Sequence, residues 1–150
     1  TCALPIWYCM LIGTYNNKID EKGRLRMPPK LKDELGTGYY ITKGDSNCLY
    51  AMSKSAFEQL FQKLQSVNFS DNQSKKMMRI FFSSAFLVEE DNQGRFLLPA
   101  NLREYAGIKK DVVVIGAGER VELWSEENWN AYNEDGDFDS LIEGLSKYDL

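Results

Sequence analysis

Ile19-Asp-Glu-Lys-Gly-Arg-Leu-Arg-Met-Pro-Pro-Lys-Leu-Lys-Asp-Glu-Leu-Gly36 and Glu90-Asp-Asn-Gln-Gly-Arg-Phe-Leu-Leu-Pro-Ala-Asn-Leu-Arg-Glu-Tyr-Ala-Gly107 are two copies of one pattern. Asp20 aligns with Asp91, Gly23 with Gly94, Arg24 with Arg95, Pro28 with Pro99, Leu31 with Leu102 and Gly36 with Gly107, all at an offset of 71 residues. Further on, Gly44 aligns with Gly116, Ser53 with Ser125 and Phe57 with Trp129 at an offset of 72, so one residue separates the copies in length between Gly36 and Gly44. A self-match this dense marks an internal repeat, centred on Asp-x-x-Gly-Arg-x-x-x-Pro.

Each part of the pattern has a physical reading. Asp20-Glu-Lys-Gly23 and Asp91-Asn-Gln-Gly94 are turn sequences. Aspartate at the first position caps the turn, and glycine at the fourth suits a type I turn. Arg24-Leu-Arg-Met27 and Arg95-Phe-Leu-Leu98 read as short strands, each opened by an arginine that projects from the mouth of a hairpin. Pro28 and Pro99 stop these strands and suit a first helical turn. Short helices are expected over Pro29–Leu35 and Ala100–Ala106, ended by Gly36 and Gly107. Residues 39–42, 48–52, 112–115 and 121–124 are rich in β-formers and read as strands. Ser53 and Ser125 are N-cap candidates for helices that start at Lys54 and Glu126, with Phe57 and Trp129 one turn in and facing the core. Each copy is thus β-turn-β-α-β-β-α. One copy alone exposes strand edges over a tiny core, whereas two can cover each other's edges and close a small barrel. The expected class is α+β (mainly β): two β-α-β halves in a pseudo-two-fold small barrel with peripheral helices.

Between the copies, Met77-Met-Arg-Ile-Phe-Phe82 follows two cap candidates, Ser70 and Asp71. It reads as a helix leading into a strand at 85–88. In the tail, Leu141, Ile142 and Leu145 fall at helical spacing on an acidic background. That pattern fits an amphipathic helix packing on a neighbour or a frayed end, and a weak helix is the preferred reading. The chain therefore divides into repeat 1 (10–57), a helical connection (58–83), repeat 2 (84–132) and an acidic tail (133–150). Met10 reads as the natural start, and residues 1–9 as an upstream or expression-derived extension; the alternative is a genuine extension that packs or oligomerises.

The 150 residues, 43% apolar and 13% aromatic, suffice for a compact core. The longest apolar-rich run, about residues 2–12, falls short of the roughly 18 residues a membrane span needs. With residues 1–9 set aside, Cys48 is the lone cysteine, which implies no disulfide framework and fits a reducing cytoplasm. There is no histidine, which removes the commonest general base and metal ligand and every histidine-based triad. Cysteine-histidine zinc sites are excluded with it. Gly116-Ala-Gly118 lacks the Gly-Lys-Ser/Thr ending of a phosphate loop, and a glycine turn is the better reading. Glu89, Glu90 and Asp91 are read as exposed acids entering a turn rather than as a cation site. No catalytic constellation, cofactor, metal or small-molecule substrate is expected.

A net charge of −4 argues at first against a nucleic-acid partner, but the charge is unevenly spread. Residues 119–150 hold two basic and ten acidic residues, so the rest of the chain carries +4. That excess peaks at the first motif, where Lys18, Lys22, Arg24, Arg26, Lys30 and Lys32 face only Asp20 and Glu21. Arg24 and Arg95 have two readings. In one, each pairs with its own Asp20 or Asp91 and staples the turn. In the other, each presents a planar five-donor fork suited to phosphate oxygens or a guanine edge, on a β-ribbon able to enter the major groove. Lys18, Lys22, Arg26 and Lys30 would then supply phosphate contacts. The second copy has Asn92, Gln93 and Leu97 where the first has Glu21, Lys22 and Arg26, so a weaker charge-driven contribution is expected from it.

At these residues a family resemblance becomes specific. Gly13-Thr-Tyr-Asn-Asn-Lys-Ile-Asp-Glu-Lys-Gly-Arg24 with Pro28, Arg79-Ile-Phe-Phe-Ser-Ser-Ala85, and Asp91-Asn-Gln-Gly-Arg95 with Leu98-Pro-Ala-Asn-Leu-Arg-Glu-Tyr-Ala-Gly107 resemble the MraZ family, from Met10 to about Tyr132. The resemblance implies tandem SpoVT/AbrB-like halves and a ring-shaped homo-oligomer. It implies a cytoplasmic, nucleoid-associated transcriptional regulator. Such a protein binds double-stranded DNA at promoter direct repeats and represses the division and cell-wall gene cluster, its own promoter included. It maps the family's DNA-contacting arginine onto Arg24, with Arg95 as counterpart, and gives residues 1–9 no place. The competing reading is an AbrB-like protein-interaction or scaffold module whose main ligand is protein.

Overall fold

The computed structural model describes residues 10–149, so the expectation for residues 1–9 lies outside the described residues. The first motif's strand β1 (Thr14–Lys18) leads through the turn into β2 (Arg24–Arg26) and helix α1 (Pro29–Leu35). Then come β3 (Tyr40–Lys43), β4 (Leu49–Met52), α2 (Lys54–Gln65) and α3 (Asn72–Ser84). The second copy supplies β5 (Phe86–Leu87), β6 (Arg95–Leu97), α4 (Ala100–Ala106), β7 (Asp111–Gly116), β8 (Val121–Ser125) and α5 (Glu126–Glu134). The tail holds α6 (Phe138–Glu143) and a 3-10 turn over Gly144–Tyr148.

The architecture is mixed α and β. A six-stranded antiparallel sheet runs in the order β1-β7-β8-β4-β3-β5, and a two-stranded antiparallel ribbon pairs β2 with β6. The sheet order is linear, with β1 and β5 at its ends. The sequence predicts a simple hairpin at each Asp-x-x-Gly-Arg turn, and the structure differs: β1 pairs with β7, and β2 leaves for the ribbon. The strand after one motif pairs with the strand after the other. Leu25 faces Phe96, its own counterpart at offset 71, and Tyr50 faces Glu122, its counterpart at offset 72. The reason is burial: Leu25 and Phe96 occupy the middle of β2 and β6, and meeting each other puts both inside.

One core joins the copies. Leu25, Met27, Phe96 and Leu98 of the ribbon region pack with Leu31, Leu35, Leu102 and Ala106 of α1 and α4. Ile41, Leu49, Ala51, Val112 and Val114 from one face of the sheet complete this cluster. Tyr39 meets Phe96 edge to face at 6.3 Å. The period-two alternation sends Val113, Ile115, Trp124 and Cys48 to the opposite face, where Trp129 of α5 packs on them. On that same face Phe57 of α2 stacks on Tyr40 at 4.5 Å and touches Phe81 and Phe82 of α3. Both aromatic anchors are half-buried rather than sealed in the core. The cap expectations match the geometry: Ser53 Oγ accepts from Ala56 N–H at 3.1 Å, and Ser125 Oγ from Asn128 N–H at 3.0 Å. Asp71 caps α3 by accepting from Ser74 N–H at 2.8 Å. No helix of the described residues is long and apolar enough to cross a membrane.

Candidate nucleic-acid interface

The two turns are built alike, atom by atom. Asp20 Oδ1 accepts the backbone N–H of Lys22 at 3.0 Å and of Arg24 at 2.8 Å, while Arg24 Nε donates to Asp20 Oδ2 at 2.8 Å. Asp91 Oδ1 likewise accepts from Gln93 and Arg95 N–H, each at 2.9 Å, and Arg95 Nε donates to Asp91 Oδ2 at 3.0 Å. Gly23 and Gly94 close the turns at φ of +82° and +76°, a left-handed backbone that disfavours other residues. The backbone amide of Arg24 holds the Asp20 carboxyl below the usual carboxylate range, and the guanidinium adds to this. The amide of Arg95 does the same for Asp91. The stapling reading is therefore part of the geometry, and it engages only Nε. The terminal Nη groups of both arginines make no hydrogen bond to other described residues, which leaves four of the five guanidinium N–H donors of each arginine open.

The ribbon then brings the two motifs together. In the β2·β6 register, Arg24 lies opposite Leu97 and Arg26 opposite Arg95. Opposed residues, and residues two apart, share a face of an antiparallel pair. Leu25 and Phe96 point into the core, so Arg24, Arg26, Arg95 and Leu97 share the outer face. Arg26 and Arg95 are like charges set directly across from each other, a pairing that costs stability unless an anion lies between them. Among the described residues Arg26 has no ion-pair partner. Two separate hairpins of unequal charge, as read from the sequence, are thus one surface.

The other expected residues surround it unevenly. Lys22 is exposed at the tip of the first turn, and Lys30 is exposed in the first turn of α1. Lys18 closes β1 and pairs with Asp111 at 3.2 Å, an exposed pair that contributes little. Pro28 and Pro99 sit at the N-cap positions of α1 and α4. Sequence reading missed Arg103. It projects from α4, donates through Nε to the Leu98 carbonyl at 3.1 Å, and lays its guanidinium against Gly23, within 3.0 Å of where a Cβ would stand. Its counterpart at offset 71, Lys32, is also basic, and that shared sign was the available signal.

The chain also resembles known proteins. The family model described as "MraZ protein, putative antitoxin-like" matches it twice, over residues 10–80 and 81–145. It is 45% identical over 143 residues to the transcriptional regulator MraZ of Finegoldia magna, covering 94% of this chain and 100% of that protein. Identity to the transcriptional regulator MraZ of Heliobacterium modesticaldum is 44% over 143 residues, with the same coverage. For that of Clostridium beijerinckii it is 46% over 138 residues, covering 91% of this chain and 97% of the relative. A solved solution structure, PHS018 from Pyrococcus horikoshii, is similar at 14% identity and a TM-score of 0.31, covering 75% of this chain and 87% of that one. With the model matched twice and relatives aligned almost end to end, the chain belongs to the MraZ family.

Proposed function

We propose that this chain is a bacterial, sequence-specific DNA-binding transcriptional regulator, and that the outer face of the β2·β6 ribbon is its DNA-reading surface. The relatives' name, transcriptional regulator, supports the class. The observation that carries the site is the arginine set on one ribbon face, Arg26 exposed and Arg24 and Arg95 half-buried, with like charges apposed and no acid among the described residues to neutralise Arg26. A two-stranded ribbon fits the major groove, and a guanidinium fork suits guanine edges and phosphates. The Asp20 and Asp91 staples hold the Arg24 and Arg95 side chains in place by Nε and leave the Nη donors for the ligand. Lys22, Lys30, Lys18 and Arg103 flank the face as phosphate contacts.

The finer reading follows from the resemblance. The chain assembles as a ring homo-oligomer, binds direct-repeat boxes, and represses the division and cell-wall gene cluster and its own promoter, acting in the cytoplasm at the nucleoid. A ring repeats one modest ribbon many times, and repeated boxes turn modest contacts into avidity. Two AbrB-like halves, 10–57 and 84–132, related by a pseudo-two-fold axis in a small barrel, are supported by the self-matching registers at Leu25–Phe96 and Tyr50–Glu122. The reading contains no catalytic step.

The test is a gel shift on the chain's own upstream DNA across a salt series. Binding is expected to fall steeply with salt, and Arg24→Ala to lose about tenfold or more in affinity, with circular dichroism unchanged. Unchanged affinity in Arg24→Ala defeats the site assignment. No salt-sensitive DNA binding at all favours the protein-interaction reading instead.

A further inference from the structure

We infer that the acidic tail of one copy docks, through its apolar stripe, into the groove between α2, α3 and the sheet of a neighbouring copy. The inference rests on the self-association proposed above and names the seam that makes it. Phe138, Leu141, Ile142, Leu145 and Tyr148 recur at the three- and four-residue steps of one helical face, across α6 and the 3-10 turn. All five are exposed, from 41% to 71%, so the described residues leave the stripe uncovered. Large apolar side chains in a row without cover mark an interaction surface.

The same molecule carries a groove of matching chemistry. A cavity of about 590 Å³ opens between α2, α3 and the ends of β3 and β4. Leu60 and Leu64 of α2 and Met77, Ile80 and Phe81 of α3 line it, together with Lys43 and Asp45. Met77 and Ile80 are more than 40% exposed there. Charge selects the occupant. Helices α2 and α3 carry Lys54, Lys63, Lys75, Lys76 and Arg79, all exposed, against Glu58. The tail from residue 133 onward carries Glu134, Asp135, Asp137, Asp139, Glu143 and Asp149 against Lys147. An apolar stripe on an acidic tail thus matches an apolar groove between two helices of net positive charge. The repeat supplies a further reason. In the first copy α3 folds back on α2 through Phe57, Phe81 and Phe82. The tail follows α5, the counterpart of α2, yet stays exposed along its length. A helix shed from its own half and a half with room beside its helices are complementary between copies.

The experiment uses the full chain. Light scattering compares the native protein with Leu141→Asp/Ile142→Asp and with Met77→Asp, all at exposed positions where folding is not at risk. A mass near the single-chain 17.2 kDa is expected for both variants, from a native multimer. In a Cys2→Ser/Cys9→Ser background, a tagged Leu141→Cys chain mixed with an untagged Met77→Cys chain is expected to give a disulfide-linked mixed pair on oxidation. A native multimer whose mass neither variant lowers overturns the seam while sparing self-association. A Leu141→Cys/Met77→Cys chain that closes only on itself also overturns it, because the tail then docks within its own copy. A native protein of single-chain mass overturns the self-association and the seam together.

Discussion

Asp20 and Asp91 each organise a turn from the side chain outward, and their ionisation is the residue-scale property most open to measurement. The folded pKa of each lies below the reference value of 3.8. A depressed carboxylate contributes stability that is full above the unfolded value and is lost as pH falls through the folded one. Both turns are therefore expected to hold at neutral pH and to loosen only below about pH 3.8. Carboxyl carbon NMR titration should place both midpoints under the reference, and a midpoint at or above it for Asp20 would contradict the staple geometry. Cys48 behaves in the opposite sense. Burial first, then the nearby Glu122 and Asp45 carboxylates, push its thiol up to about 12. Alkylation at pH 8 is thus expected to spare Cys48 in the folded protein and reach it after denaturation, as peptide mass mapping will read. Both carboxyl oxygens of Glu122 are already taken, by Arg120 and by the Trp124 indole at 3.0 Å, so the cluster around Cys48 is an internal ion-pair network.

At the scale of elements, the paired glycines separate two kinds of constraint. A Cβ at Gly116 would meet backbone atoms of Leu11 and Ile12, whereas the atoms nearest one at Gly44 belong to the Tyr50 ring. Backbone cannot yield as a side chain can, so Gly116→Ala should be the costlier change, by about 1–3 kcal/mol in urea unfolding. Equal costs at the two positions would count against this packing. The N-caps belong to the same scale: Ser53→Ala and Ser125→Ala should each cost about 1 kcal/mol, since each hydroxyl oxygen holds one helix amide. Much at this scale was legible in advance. Helices α1 and α4 begin and end where proline and glycine punctuate the sequence, because caps and φ preferences are local properties. Strand partners were not legible in the same way. The route of β2 depends on Phe96, 71 residues away, and no local rule reports that distance.

For the whole molecule, the ribbon is the joint between copies, and Phe96 is its buried centre, against Leu25 and Tyr39. Phe96→Ala should cost about 3–5 kcal/mol in urea unfolding and loosen both copies in one transition. Two separate transitions would mean that the halves fold apart. The sequence by itself determined the duplication, the Asp-x-x-Gly-Arg turns, the helix ends, the caps and the uneven charge, because each of these rests on residues within a few positions of one another. The tertiary structure decided that the two motifs share one ribbon. It set Arg26 across from Arg95, placed Arg103 against Gly23 and left the tail's apolar stripe without a home. Those outcomes depend on which buried side chains meet across some 70 residues of chain. Burial is non-directional, so it rewards any register that hides Leu25 and Phe96, and only the packed core of both copies selects among them.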